Sequence, residues 1–153
     1  MSDIRIDEKG LIVACPSCGQ RNRVAFAATD TRCGKCKTAL PAIAEPVEVP
    51  DAGAFDALVR HSPRTIVVDF WAPWCGPCRV VAPEIARVAS AHAGEYIVVK
   101  VNTDQVVELG ERFRIQSIPT IAVFKGGVEV GRTSGARPAA EIETFVRRST
   151  GAA

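Results

Sequence analysis

Residues 65–78 read Thr-Ile-Val-Val-Asp-Phe-Trp-Ala-Pro-Trp-Cys-Gly-Pro-Cys, and the fold turns on how this stretch changes character midway. The run Thr65–Trp71 is β-branched and aromatic, which predicts a buried central strand. Gly76 and Pro77 then sit between two cysteines, and beyond them Val81, Ile85, Val88 and Ala89 recur at helical spacing. A strand therefore runs into a helix, with Cys75 at or beside the helix N-terminus. Pro77 suits the first turn because its missing N–H would be unpaired there anyway. Unpaired N–H groups and the positive end of the helix dipole favour an anion at that point. For a cysteine the anion is the thiolate, the nucleophile of disulfide exchange.

Outward from this turn, Val47–Val49 reads as a short strand and Asp51 as the N-cap of a helix reaching about His61. The helix after Cys78 runs to about Ala93, followed by a strand over Tyr96–Asn102. A short helix is expected over about Gln105–Phe113. Strands follow at about Thr120–Lys125 and Val128–Thr133, and a last helix from near Pro138 to about Arg148. The order βαβαβαββα predicts an α/β fold, a sheet covered by helices on both faces. Its βαβ crossover ahead of Tyr96 is expected to be right-handed. Sites in such sheets lie at the carboxyl ends of strands, where Cys75 falls. Pro41–Pro50 carries three prolines and reads as a stiff linker. His61 and His92 have no partners at ligand or catalytic spacing and read as surface residues at helix ends.

The chain has 153 residues, enough for one ordinary domain and a small appendage. Its composition, 47% hydrophobic and 24% charged, is that of a globular protein. A net charge of +2 gives no bulk attraction to nucleic acid. Residues 1–9 are too polar for a signal peptide, and no stretch approaches the ~20 apolar residues of a membrane span. The expected location is the cytoplasm, where paired cysteines serve as metal ligands or redox catalysts more often than as staples.

All six cysteines fall in Cys-x-x-Cys pairs. Cys15/Cys18 and Cys33/Cys36 follow the double pattern of a zinc ribbon. Gly19 and Gly34 are expected to supply the positive φ values such knuckles need. Four thiolates close the shell of a zinc ion, so the site is structural. The apolar side chains of residues 1–45 are too few for an adequate core, and zinc supplies the missing folding free energy. Two disulfides are the alternative, disfavoured in the cytoplasm. Asp69 interrupts an apolar strand. On a buried face its carboxyl has a raised pKa and accepts a proton from Cys78; on a solvated face, or paired with Lys100, it is structural.

At Trp71-Ala72-Pro73-Trp74-Cys75-Gly76-Pro77-Cys78 the chain resembles thioredoxin. The resemblance runs from about Val47 to the C-terminus. It includes Asp69, Lys100, the helix proline Pro83, Ile118-Pro119-Thr120, Gly126-Gly127 at a hairpin turn, and Gly135. With the N-terminal cysteines the whole is similar to the zinc-containing thioredoxin-2 subfamily of bacteria. This implies a thioredoxin fold, a central mixed sheet flanked by helices, over residues 46–153, with a small zinc ribbon over residues 1–45. It implies a protein-disulfide reductase in which Cys75 attacks the substrate and Cys78 resolves the mixed disulfide. Asp69 is the base and Lys100 its modulating partner. Trp74, Gly76, Pro77, a cis Ile118–Pro119 bond and Gly135 form the docking surface, with Trp71 packed on the loop.

The resemblance further implies disulfide-containing substrate proteins, electrons from NADPH through a thioredoxin reductase, no organic cofactor, no membrane or nucleic-acid partner, and a monomer. The rival reading is a zinc-ribbon binding or oxidant-sensing module that uses the thioredoxin-like domain as a scaffold.

Overall fold

Arg5–Asp7 (β1), Gly10–Ala14 (β2) and Arg21–Val24 (β3) form an antiparallel three-stranded sheet in the computed structural model, which describes residues 4–151. Residues 1–3 and 152–153, the outer ends of both expected domains and the start of the polar N-terminal stretch, lie outside the described residues. The rest of the chain runs Val47–Glu48 (β4), Ala52–His61 (α1), Thr65–Trp71 (β5), Gly76–Ala91 (α2), Tyr96–Asn102 (β6), Val107–Arg112 (α3), Thr120–Lys125 (β7), Val128–Ser134 (β8) and Ala139–Thr150 (α4). Its strands make one mixed sheet in the order β4-β6-β5-β7-β8. Strands β4, β6 and β5 are parallel, and β7 and β8 are antiparallel additions.

The central position of β5 follows from its composition, because both faces of Ile66–Phe70 are buried. Alternate side chains enter two cores. Ile66, Val68 and Phe70 face Phe55 and Leu58 of α1 and Leu109 of α3. Val67 faces Val81 and Ile85 of α2 and Ile142 of α4. The expected N-cap forms, with Asp51 Oδ1 accepting the Ala54 N–H at 2.8 Å. Gly126 and Gly127, at φ +62° and +85°, make the two-residue turn between β7 and β8.

Four expectations need correction. The stiff linker read over Pro41–Pro50 overlaps the expected strand, and the strand prevails: Val47 and Val49 are buried, and β4 pairs with β6. The helix expected over Gln105–Phe113 is only Val107–Arg112. A turn closes on Asn102 first, whose carbonyl accepts the Gln105 and Val106 N–H groups, and Val106 offers no capping side chain. Gly34 is not the residue at positive φ in the second knuckle; Lys37, at φ +68°, takes the place that Gly19, at +79°, takes in the first. Each stands four residues after the leading cysteine and donates its N–H to that cysteine's carbonyl. His92, finally, is no free surface residue. It caps α2, stacks on Tyr96 at 4.4 Å, and lies between Glu143 at 2.6 Å and Glu95 at 3.2 Å.

Among the described residues the small sheet has no core of its own. Ile6, Leu11 and Phe26 belong to the same buried cluster as Val47, Phe55 and Leu58.

Candidate active site

Strand β5 ends at Trp71, and a turn follows in which the Cys75 N–H donates to Ala72 O at 3.2 Å. Cys75 then stands as the N-cap of α2, where its Sγ accepts the Cys78 N–H at 3.1 Å. Gly76 and Pro77 fill the first turn between the two cysteines, whose side chains are joined in a disulfide with Cα atoms 5.3 Å apart. A thiolate released at Cys75 would meet the N-terminal N–H groups of a 16-residue helix, which stabilise negative charge. Both cysteines pack against Ala72, Trp71 and Ile118 and are almost wholly buried.

The loop before β7 closes the other side. The Ile118–Pro119 bond is cis, and the Ile118 carbonyl oxygen lies 3.7 Å from Cys75 Sγ. Gly135, at φ +94°, donates its N–H to the Pro119 carbonyl at 2.9 Å and ties the end of β8 to this loop. Trp74 is 68% exposed beside the disulfide. Its indole N–H donates to the Asp104 carboxylate at 3.0 Å, which fixes the ring's edge. Sequence reasoning missed Asp104, and nothing local signals a partner for Trp74 in the turn after β6.

Asp69, in the strand that leads into the cysteine turn, is 0% exposed, with neither carboxylate oxygen hydrogen-bonded. Burial pushes its carboxyl up to about 7; Lys100 pulls against that shift and Glu48 adds to it. Lys100 stands opposite Asp69 in the β5–β6 register, but its Nζ lies over the Trp71 ring, 4.4 Å from the centroid. Thus Asp69 is neither on a solvated face nor held by a hydrogen bond. Glu48, also missed, pairs in register with Lys100 from the other side. Its only signal was the alternation Val47-Glu48-Val49 beside a charged neighbour strand.

The remaining four cysteines gather in the small sheet. Cys15 and Cys36 sulfurs lie 3.6 Å apart, as do those of Cys18 and Cys33, and all four fall within 4.8 Å of one another. Four sulfurs about 2.3 Å from a central zinc would stand about 3.8 Å apart, so the donor set and its spacing fit that ion. The Ser17 and Lys35 N–H groups point at Cys15 and Cys33 sulfurs, each at 3.4 Å. Backbone donors, the Cys36 N–H foremost, bring the Cys33 thiol down to about 6, while burial and the neighbouring sulfurs push Cys18 up to about 11, so a bound cation would have to bring out the full set of thiolates. Four cysteines leave no open position, so the cluster can hold a metal but has no place for a substrate.

Comparison with known proteins agrees with this geometry. The sequence model of the family described as Thioredoxin matches residues 46–148. Thioredoxin 1 of Chlorobaculum tepidum is 43% identical over 100 residues, which cover 65% of this chain and 99% of that protein. Thioredoxin C-3 of Corynebacterium nephridii is 35% identical over 139 residues, 89% of this chain and 93% of that one. That alignment is too long to fit after residue 46 and reaches into the N-terminal segment. Among solved structures, Fasciola hepatica thioredoxin matches with a TM-score of 0.62 at 34% identity, covering 67% of this chain and 97% of that one. Among the described residues no helix is long and apolar enough to cross a membrane. A disulfide at a strand-to-helix turn, the mixed five-stranded sheet and these relatives agree: the chain belongs to the thioredoxin family, and its activity is thiol–disulfide exchange.

Proposed function

We propose that the chain is a protein-disulfide reductase of the zinc-containing thioredoxin-2 type, with Cys75 as the attacking thiol and Cys78 as the resolving one. One observation carries this assignment: Cys75 Sγ is the acceptor at the N-terminus of α2, and Cys78 supplies the N–H it accepts. In the reduced protein the Cys75 thiolate attacks one sulfur of a substrate disulfide. A Cys75–substrate disulfide forms, and the substrate's other sulfur leaves as a thiolate. The Cys78 thiol gives its proton to Asp69, and the resulting thiolate attacks Cys75. The substrate's second sulfur leaves and takes up a proton, two electrons have passed to the substrate, and the protein is left as the Cys75–Cys78 disulfide.

Support for Asp69 as the base is its burial without a hydrogen bond, which keeps its proton affinity near neutrality. Lys100 modulates it from the next strand. Trp74, Gly76, Pro77, Ile118, Pro119 and Gly135 form the docking surface, on which an extended substrate segment would meet the Ile118 backbone. Thioredoxin reductase, drawing on NADPH, returns the disulfide to the dithiol. The setting is cytoplasmic and the working unit a monomer.

Cys15, Cys18, Cys33 and Cys36 would hold a structural zinc ion, whose chemistry here is to supply folding free energy to residues 1–45. Residues 46–153 are the catalytic domain. A second reading, that the ribbon senses oxidants, rests on the exposure of Cys18 and Cys36.

Insulin-disulfide reduction tests the catalytic assignment. Cys75→Ser should abolish turnover, and Cys78→Ser should accumulate a mixed disulfide that a gel resolves. Turnover by Cys75→Ser equal to that of the unmodified protein would refute the assignment.

A further inference from the structure

Three charged residues stand in one row across three neighbouring strands. Glu48 on β4 is in register with Lys100 on β6, and Lys100 with Asp69 on β5. Alternation puts all three on the same face, since Val47, Val49, Val99, Val68 and Phe70, their neighbours along the strands, enter the opposite core. Lys100 thus has a carboxylate on each side, one exposed on the edge strand and one wholly buried. It closes on neither: no hydrogen bond reaches Asp69, and the ammonium rests over Trp71.

We infer that Glu48 is a positioning residue for the proton transfer at Asp69, competing for Lys100 from the edge strand so that the buried carboxylate is not locked into an ion pair. The physical argument is symmetric. With one carboxylate beside it, Lys100 would swing to Asp69, lower its proton affinity and leave a poor base. A second carboxylate at the same register on the outer strand opposes that swing. Its negative field also reaches Asp69 directly and acts in the same direction. The charged groups that act on Asp69 are Lys100 from β6 and Glu48 from β4. Of these, Glu48 is the one whose charge raises its proton affinity. The inference rests on the reading of Asp69 as the base.

The test is a carbon-13 NMR titration of the Asp69 carboxyl in the oxidised protein, where no active-site thiol titrates beside it. Glu48→Gln keeps the shape of the side chain, and Glu48→Thr, a good strand former, is the second variant. At low ionic strength both should lower the Asp69 midpoint by about 0.3–1 pH unit. The acid limb of insulin reduction should move down with it. A midpoint unmoved in both variants, or moved upward, would overturn the role of Glu48. Failure of the underlying reading looks different: Asp69→Asn would then keep the acid limb of the unmodified protein, whatever Glu48 does to the carboxyl.

Discussion

Asp69 illustrates at the residue scale what an apolar strand does to one carboxylate. Ordinary desolvation accounts for its shift, since Lys100 pulls the other way. Its folded pKa of about 7 lies above the value of about 3.9 expected in the unfolded chain. Stability tied to its neutral form is therefore complete below about pH 4 and lost as pH rises through about 7. Asp69→Asn removes the charge and keeps the shape. We expect it to raise unfolding stability by on the order of 3 kcal/mol above pH 8 and hardly at all near pH 4, measured by denaturant titration. Equal effects at both values would show that the gain is packing and not charge. The presence of a carboxylate in this strand was legible in the sequence. Which face it occupied was not, because a strand buried on both sides gives alternation no polar face to mark.

At the element scale, α2 is tied down at both ends. Its start carries the disulfide, and its end is joined to α4 by His92, which contacts Glu143. Burial would lower the His92 pKa, but the hydrogen bonds its ring gives to Glu143 and Glu95 outweigh it and raise the value. A raised folded pKa means stability that is full below the unfolded value and lost as pH climbs through the folded one. His92→Gln should therefore cost about 1 kcal/mol more at about pH 5.5 than at about pH 8.5. Chemical denaturation at the two values checks this, and a pH-independent cost would leave His92 as a packing residue. Reading the residue as free surface failed because its acidic partner on α4 is 51 residues away. The boundaries of α2 itself were nearly correct, since a proline in the first turn and a period of apolar residues are local signals.

At the scale of the whole molecule, the small sheet leans on the large one. A segment of about 45 residues rarely builds a sufficient core alone. Here Ile6, Leu11 and Phe26 complete the core under α1. A metal in the four-cysteine cluster would then stabilise more than the ribbon. Metal analysis should find one zinc per chain. Its removal with a chelator should lower the thermal midpoint by at least about 5 °C, as one transition. Insulin reduction measured well below that midpoint should persist, because the disulfide and its helix lie in the other sheet. An unchanged midpoint after removal would sink the structural role of the metal.

The amino-acid sequence by itself determined the strand, the turn and the helix around Cys75, the separation of one cysteine pair from the other two, and the order of elements that builds the sheet. Each of these is a local matter of periodicity, capping and turn chemistry within a few residues. Only the tertiary structure decided that Glu48, Lys100 and Asp69 share a row, that His92 bridges two helices, and that the ribbon shares the core. Those contacts join residues far apart in the chain. They arise from strand register and from the burial of faces, and no local pattern encodes which distant face will cover which.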